Sequence, residues 1–186
     1  HIALSNFLHS MKQAPGLTNE DILLAVTTYS FDIAALELFL PIIVGARVVI
    51  ANREIVSDGM QLSAKLIDSK ATVMQATPAT WQLLLAAGWN GNRQLKILCG
   101  GEALPAPTAS KLLERCDSLW NMYGPTETTI WSAASQVKTD SRLVTISQAI
   151  ANTQLYILDK YNQLVPVGVV GELHIGGNGL SRGYFL

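Results

Sequence analysis

The chain has 186 residues, of which 49% are apolar and only 15% are charged, and its formal net charge at pH 7 is −1. This length fits one domain or part of a larger one, and the apolar content excludes an intrinsically disordered chain. The 13 Lys and Arg residues are scattered along the chain, so the sequence offers no basic patch for nucleic acid. The 2 cysteines are too few for a disulfide framework and favour a reducing compartment, which we expect to be the cytoplasm.

The two ends of the chain resemble interior positions of a longer sequence. The sequence begins at His1 without an initiator Met and stops at Leu186 within a strand-and-turn pattern. Its longest apolar run, 33–44, is broken by Glu37 and Pro41 and is shorter than the ~20 residues that span a membrane. We therefore expect a slice of a longer protein with no membrane partner.

Strands and helices are predicted to alternate from residue 22 to residue 123. Short apolar or β-branched runs indicate strands, and apolar residues at helical spacing indicate helices. The predicted strands are 22–26, 46–51, 72–76, 95–99 and 119–123, and the predicted helices are 33–44, 60–67, 78–87 and 108–115. Asp32 is expected to cap the first of these helices and Thr77 the third. This order predicts a parallel βαβ sheet with helices on its faces.

The end of the chain has a different pattern. Strands are predicted at 154–158 and 172–175 with no helix between them, which is typical of a β hairpin. The predicted fold class is therefore α/β, with a layered βαβ sheet followed by a hairpin-rich β region. A composition shift at about 141–148 divides the chain into an α/β part, 1–140, and a β-rich part, 141–186.

Two stretches follow predicted strands and are candidates for ligand contact. Residues 121–129 (NMYGPTETT) join a strand end to a Gly-Pro turn and to hydroxyl groups beside one carboxylate. Residues 99–102 (CGGE) carry glycines that let the backbone approach a flat ligand. Ligands bind at the carboxyl ends of strands in α/β sheets, although by spacing alone each stretch is more simply an ordinary turn.

Other kinds of site lack support in the sequence. The glycines of 171–183 do not have the spacing of a dinucleotide-binding fingerprint, and the chain contains no GxxxxGK[ST] phosphate loop. No GxSxG elbow occurs, and neither cysteine lies beside a histidine, so hydrolase chemistry is not indicated. The 3 histidines are far apart in the sequence, which argues against a histidine metal site.

The stretch 121–129 resembles the NxYGPTE core of the amino-acid adenylation domains of nonribosomal peptide synthetases, within the adenylate-forming enzyme superfamily. Residues 31–34 (FDIA) are similar to the FDxS motif of this family, and 171–186 (GELHIGGNGLSRGYFL) to its GELxIxGxGxARGY motif. Ala34 and Ser181 are small departures from these motifs. The three motifs occur in the family's order and span nearly the whole chain, which implies part of the large N-terminal subdomain of such an enzyme.

The resemblance implies an activity and its partners. Family members join an amino acid to ATP, giving aminoacyl-AMP and pyrophosphate, and pass the acyl group to the phosphopantetheine thiol of a carrier protein. The expected ligands are an amino acid, ATP and Mg²⁺, and the expected partners are the peptidyl carrier and condensation domains of the same synthetase. The family's phosphate loop is expected before His1, and its ribose-binding acid and catalytic Lys after Leu186, so the fragment alone is expected to be inactive.

The resemblance also implies a nucleotide site. Tyr123 would stack on the adenine, with the backbone of 101–103 on the other face, and Asn121 would bond to an adenine edge. Thr126 would contact the α-phosphate, and Glu127 would bind Mg²⁺, which prefers one or two carboxylates together with phosphate oxygens. The nucleotide-binding residues carried over are Gly101, Glu102, Ala103, Asn121, Tyr123, Gly124 and Thr126, and the catalytic ones are Thr126 and Glu127.

The same motifs imply an amino-acid pocket. By its place in the motif, Asp32 matches the residue that holds the substrate α-ammonium. A carboxylate at an apolar helix start is costly to bury without a partner, and a cationic substrate would be that partner. The lining carried over by position is Asp32, Ile33, Leu36, Gln75, Leu98, Gly100, Met122, Ile130 and Trp131. Bulky members, Trp131 above all, leave little room beyond Cα, and the series is similar to that of glycine-activating members. We expect glycine, or alanine or another small amino acid if some of these side chains point away from the site.

Two alternatives remain open. An acyl- or aryl-CoA ligase-like enzyme is disfavoured because relatives that activate such acids have no ammonium to bind and lack an acid matching Asp32. A purely structural or binding fragment is the other alternative. Glu37 is expected to be solvated or paired, without a catalytic role. The tryptophans expected to serve packing are Trp81, Trp89 and Trp120.

Overall fold

A computed structural model describes residues 1–139 and 144–185. Within these residues the centre of the fold is a six-stranded sheet with the order β2-β1-β3-β4-β5-β6. Its strands are β1 Ile22–Ala25, β2 Arg47–Ile50, β3 Val73–Ala76, β4 Lys96–Gly100, β5 Ser118–Tyr123 and β6 Ala133–Gln136. Neighbouring strands from β2 to β5 are parallel, and β6 pairs with β5 in the antiparallel sense. The predicted parallel sheet is confirmed.

Helices cover both faces of this sheet. They are α1 Ile2–Met11, α2 Ala34–Val44, α3 Arg53–Val56, α4 Gly59–Ser69, α5 Pro78–Ala86 and α6 Ala106–Leu113. One core joins α4, α5 and α6 to one face of the sheet, and a second core joins α1 and α2 to the other. Alternate residues of each buried strand point to opposite faces, so Leu24 belongs to the first core and Leu23 to the second.

The chain ends in the predicted hairpin, formed by the antiparallel strands β7 Thr153–Leu158 and β8 Glu172–Gly177. The α/β class with a β-hairpin region is therefore confirmed. The division proposed at about 141–148 begins outside the described residues, because 140–143 are not described, and it stays a prediction. No helix in the described part of the chain is long and apolar enough to cross a membrane.

The local predictions for the first helices had mixed outcomes. Thr77 caps α5 as predicted, with its Oγ1 accepting from the Thr80 N–H at 3.5 Å. The prediction that Asp32 caps α2 is wrong: Ile33 occupies the N-cap position and no side chain caps this helix. Backbone bonds from the Phe31 N–H to Thr28 and from the Ala34 N–H to Phe31 already form a turn there. Asp32 thus lies one position too early to cap.

Three elements have no sequence signal that we recognised. These are α1, the one-turn helix α3, whose N-cap is Asn52, and the edge strand β6. The sequence of β6, AASQ, lacks β-branched residues and forms a strand because it pairs with β5. The packing predicted for the tryptophans is confirmed, since Trp81 and Trp89 are buried against each other and Trp120 packs on the second core.

Candidate active site

The carboxyl ends of β1, β3, β4 and β5 meet at one edge of the sheet and surround two adjoining cavities of the described residues. The first, here the Tyr123 cavity, has a volume of about 390 Å³. The second, here the Asp32 cavity, has a volume of about 530 Å³. The residues that line both are Gly101, Glu102, Gly124 and Trp131. A ligand in one cavity is therefore adjacent to a ligand in the other.

The Tyr123 cavity collects the residues expected to bind a nucleotide base. They are Gly101, Glu102, Ala103, Asn121, Tyr123 and Gly124. The backbone at Gly101 has φ +87°, a conformation that favours glycine and turns the chain beside Tyr123. The Asn121 amide lines the cavity while its Nδ2 donates to the carbonyl of Thr145 at 3.1 Å.

Sequence reasoning missed three residues that line the Tyr123 cavity: Leu104, Val144 and Ile146. The last two lie in an irregular segment beyond β6, which is held against Ser135 by hydrogen bonds from the Ser147 and Gln148 backbone. Nothing local in the sequence marks this segment as part of a site. Only its return across β6 brings it to the cavity.

The Asp32 cavity contains four of the residues expected to bind the amino acid: Asp32, Ile33, Ile130 and Trp131. Thr126 also lines it. Sequence reasoning missed the hydroxyl-rich side of this cavity, formed by Thr27, Thr28, Thr77 and Thr80. A signal was present for three of them, because Thr27 and Thr28 lie just beyond β1 and Thr77 directly follows β3, at the carboxyl ends of these strands.

The Asp32 side chain lies at the start of α2, half-buried in the wall of its cavity. Among the described residues Arg115 forms a salt bridge with Glu114, and Nε2 of His174 lies 3.6 Å from Glu172, so Asp32 belongs to neither pair. It does not cap the helix either. Its carboxylate is thus available to a cation in the cavity.

The other residues predicted for the amino-acid pocket lie behind its wall. Leu36, Leu98 and Met122 are buried in the second core together with Ile130 and Trp131. Met122 also reaches the Tyr123 cavity. Gly100 and Gln75 are buried, and neither lines the Asp32 cavity. Of these five residues, Gly100 packs against the indole ring of Trp131 and Gln75 accepts a hydrogen bond from it.

Two glycines leave the space that Trp131 needs to take its position. A Cβ at Gly100 would approach Cη2 of Trp131 to 2.7 Å, so the indole ring packs directly over this glycine. A Cβ at Gly124 would approach the carbonyl oxygen of Ile130 to 2.4 Å and Cα of Trp131 to 2.7 Å. The chain can fold back over Gly124 only because that side chain is absent, and this fold-back brings Trp131 between the two cavities.

The fold-back at Trp131 contains backbone strain. Thr129 and Ile130 have φ values of 64° and 71°, which β-branched residues rarely adopt. The strained turn is held by a bond from the Ser132 N–H to the Tyr123 carbonyl at 2.8 Å. Strain of this kind is concentrated at ligand sites, where the surrounding structure imposes it.

Glu37 follows the second of its two expected alternatives, since it is fully buried and paired rather than solvated. Its partners are hydrogen-bond donors, and it takes part in neither salt bridge of the described residues. Its carboxylate accepts from the backbone N–H groups of Val26 and Thr27, from the Thr27 hydroxyl and from Nε2 of Gln75. Burial raises the pKa of this carboxyl, and the hydrogen bonds from Thr27, Gln75 and Val26 oppose that rise.

Thr126 and Glu127 lie on a short helical turn after β5, and both are exposed. The Tyr184 hydroxyl donates to Oε1 of Glu127 at 2.9 Å. A backbone hydrogen bond at Glu127 and this tyrosine bond lower the pKa of the carboxyl, which favours its ionised form. The Ser181 N–H donates to the Glu127 carbonyl at 2.8 Å, so the loop after β8 is joined to this turn.

The residues at this turn fit a magnesium ion that is shared with a phosphate group. Within the described residues no three acidic, histidine or cysteine side chains are grouped to hold a metal ion by themselves. One exposed carboxylate at Glu127 and a neighbouring hydroxyl at Thr126 match the few oxygen ligands that Mg²⁺ takes from protein when phosphate and water supply the rest.

The chain is similar to known proteins over almost its entire length. The family model described as "AMP-binding enzyme" matches residues 1–185. A dimodular nonribosomal peptide synthase of Bacillus subtilis (strain 168) is 50% identical over 184 residues, which cover 98% of this chain and 8% of that protein. Tyrocidine synthase 3 of Brevibacillus parabrevis is 38% identical over an alignment of 192 residues, which covers 100% of this chain and 3% of that protein.

A solved structure agrees with these sequence relatives. It is the crystal structure of a four-domain nonribosomal peptide synthetase in its holo form, bound to AMP and glycine. It matches with a TM-score of 0.94 at 50% sequence identity, over 98% of this chain and 14% of that chain. The chain therefore spans only a small part of the relatives that it resembles.

Proposed function

The chain belongs to the family of AMP-binding enzymes, and we propose that it carries the adenine and amino-acid sites of an amino-acid adenylation domain. The structural match also confirms the predicted fold, part of the large N-terminal subdomain of an adenylate-forming enzyme. The observation that carries the proposal is the pair of adjoining cavities that share Trp131 and Gly124, with Tyr123 in one and Asp32 in the other.

In this proposal ATP binds with its adenine in the Tyr123 cavity. The ring of Tyr123 stacks on one face of the base, and the backbone from Gly101 to Ala103 covers the other. Thr126, which lines the adjoining cavity, contacts the α-phosphate. Glu127 holds Mg²⁺, which supplies positive charge that balances the phosphates.

The amino acid binds in the Asp32 cavity with its ammonium group on the Asp32 carboxylate. Its carboxylate oxygen then attacks the α-phosphorus, and the bond between that phosphorus and the oxygen of the leaving pyrophosphate breaks. Residues of this chain act by holding the two reactants in line and by stabilising charge, which are the main sources of catalysis for such a displacement.

We propose glycine as the amino acid. The support is the large Trp131 side chain in the cavity wall. It packs directly over Gly100 and lies in the core with the buried Leu36, Leu98 and Met122. A wall of this kind excludes larger side chains by steric clash. The solved relative with a TM-score of 0.94 is bound to AMP and glycine, which agrees with the proposal.

Two alternatives make different use of the same site. Alanine fits if the wall yields by one methyl group, and a hydrophobic pocket discriminates by only about 1–3 kcal/mol per methylene. An acyl- or aryl-CoA ligase-like activity leaves Asp32 without a cationic partner, although this carboxylate lies in the cavity wall. The latter is therefore disfavoured.

The wider assignments follow from the relatives, which are synthetases much longer than this chain. We propose that the aminoacyl group passes to the phosphopantetheine of a peptidyl carrier domain and then to a condensation domain in the same cytoplasmic synthetase.

The proposal is tested with the full-length protein that contains this chain. ATP–pyrophosphate exchange should depend on glycine and should fall with alanine and further with larger amino acids. Equal exchange with large amino acids would contradict the glycine assignment, and exchange that needs an aryl or fatty acid would contradict the amino-acid assignment. No exchange with any carboxylic acid would overturn the proposed function altogether.

A further inference from the structure

Glu37 joins two walls of the Asp32 cavity although it does not line the cavity itself. On one side Oε2 accepts from the backbone N–H groups of Val26 at 2.8 Å and Thr27 at 3.0 Å, and Oε1 accepts from the Thr27 hydroxyl at 2.5 Å. On the other side Oε1 accepts from Nε2 of Gln75 at 3.0 Å. Val26 and Thr27 line the cavity, and Gln75 is hydrogen-bonded to Trp131, which lines it too.

The bond from Gln75 to Glu37 decides which way the Gln75 amide points. Nε2 of Gln75 donates to Glu37 and, at 3.0 Å, to the carbonyl oxygen of Ile33. Its Oε1 is therefore left facing the indole N–H of Trp131, from which it accepts at 2.9 Å. Because an indole N–H can only donate, the opposite orientation of this amide would set two donors against each other.

All four groups that are hydrogen-bonded to the Glu37 carboxylate act as donors in this arrangement. Three of them are N–H groups that cannot accept, so the position calls for a side chain with acceptors on both terminal atoms. Such a network is sensitive to a single exchanged atom, because a buried polar group without a partner is costly.

We propose that Glu37 is a positioning residue for substrate selection, which sets the orientation of the Gln75 amide and through it the place of Trp131 in the cavity wall. This inference rests on the proposed function. It adds a residue that touches neither cavity, and it explains why a carboxylate is buried on the inner face of an otherwise apolar helix.

The replacement Glu37→Gln exchanges one acceptor for an NH₂ group at nearly constant shape. If the new Oε1 stays on the backbone N–H groups of Val26 and Thr27, the new NH₂ group faces Nε2 of Gln75. The Gln75 amide must then turn over, which places its own NH₂ group against the Trp131 indole N–H. We expect Trp131 to be displaced, while the part of the Tyr123 cavity around Tyr123 itself is retained.

The test measures ATP–pyrophosphate exchange in the full-length protein, with glycine and alanine as substrates. For Glu37→Gln we expect the KM for glycine to rise about 10-fold, the preference for glycine over alanine to fall by a similar factor, and the KM for ATP to change less than about 2-fold. The matched control is Glu20→Gln, which alters an exposed glutamate outside both cavities and should leave all three values unchanged.

A double-variant comparison separates positioning from general damage. In a Trp131→Phe background the indole N–H is absent, so Glu37→Gln should change the glycine-to-alanine preference much less than in the original protein. An equal change in both backgrounds would overturn the inference. So would an unchanged KM for glycine and an unchanged preference in a folded Glu37→Gln protein.

Glu37→Asp serves as a second variant if Glu37→Gln does not fold. It keeps both acceptor oxygens but is one methylene shorter, so it cannot span Thr27 and Gln75 together, and it should also weaken the preference for glycine. A folded Glu37→Asp protein with the original preference would overturn the inference. If the unaltered protein activates no amino acid, the proposed function fails; if it does so while these variants behave like it, only the role of Glu37 fails.

Discussion

The indole N–H of Trp131 donates a hydrogen bond of 2.9 Å to Oε1 of Gln75, which lies 56 positions earlier in the chain. The bond links the strained turn after β5 to the end of β3, and both atoms are buried. It holds a large aromatic ring at the boundary between the Tyr123 and Asp32 cavities. The size of the amino acid that fits therefore depends on a contact between two distant segments.

Removing the bulk of this ring should widen the Asp32 cavity. With Trp131→Ala in the full-length protein, exchange with alanine and larger amino acids should rise relative to glycine by a factor of about 10 or more. The variant should also lose about 3–5 kcal/mol of stability, because a buried tryptophan is truncated. Unchanged selectivity in a folded variant would show that this side chain does not limit the pocket. Trp89→Ala, which truncates a buried tryptophan outside both cavities, is the control for stability loss alone.

Loss of the charge on Asp32 should affect the amino acid and spare the nucleotide. With Asp32→Asn we expect the KM for glycine to rise about 10- to 100-fold, since a charged hydrogen bond is worth about 1.5–3 kcal/mol, and the KM for ATP to change little. Asp68→Asn removes an exposed aspartate elsewhere and should have no effect on either value. A larger effect on ATP than on glycine would place Asp32 at the wrong ligand.

Stacking at Tyr123 predicts the opposite pattern. Tyr123→Ala should weaken ATP binding about 10-fold, because an aromatic stack on a base is worth about 1–3 kcal/mol. Tyr123→Phe keeps the ring and should bind ATP almost as well as the original protein. Both are measured by titration with ATP in the absence of an amino acid, and equal losses in the two variants would argue against stacking.

Gly124 should be intolerant of any side chain. In Gly124→Ala the new Cβ would lie 2.4 Å from the Ile130 carbonyl oxygen, so the turn that carries Trp131 must shift. We expect a lower melting temperature and a loss of selectivity for glycine. Gly176→Ala is the matched control, since its Cβ would meet nothing closer than 3.5 Å. Thermal unfolding of both variants checks the prediction, and equal melting temperatures would refute the steric argument.

The thiols should be unreactive in the folded protein. Burial, with a smaller contribution from the charge of Glu102, raises the pKa of Cys99 to about 12, and burial also raises the pKa of Cys116 to about 11. Since the thiolate is the reactive form, alkylation by iodoacetamide at pH 8 should be slow for both and fast after unfolding in urea. A rapid reaction of either thiol in the folded protein would contradict its burial.

The same shifts have a consequence for stability. The folded pKa of Cys99 lies above its ordinary value of 9.0, so the folded state holds the thiol proton more tightly. This contribution to the free energy of unfolding is complete below pH 9.0 and is lost as the pH rises toward about 12. In Cys99→Ser, which removes the thiol, this alkaline loss should be reduced when unfolding is followed between these pH values.

Much of the site could be predicted because its residues lie in short motifs at strand ends. Tyr123 is the last residue of β5 and Gly101 directly follows β4, and the carboxyl ends of neighbouring parallel strands meet in space. Val144 and Ile146 could not be predicted, since they reach the Tyr123 cavity from an irregular segment without a motif. The sequence separation between this segment and β5 does not predict that the two meet in space.

The alternation of strands and helices, the hairpin, and the motifs that resemble amino-acid adenylation domains can all be predicted from the sequence. These are local properties, set by the spacing of apolar residues and by turn-forming glycines and prolines. Which side chains share an environment depends instead on how distant segments pack together. Glu37 illustrates the difference. Its place in the sequence of α2 is compatible with a carboxylate in solvent or in the core. It becomes part of the site because packing on β1 and β3 brings donors from Thr27 and Gln75 to it.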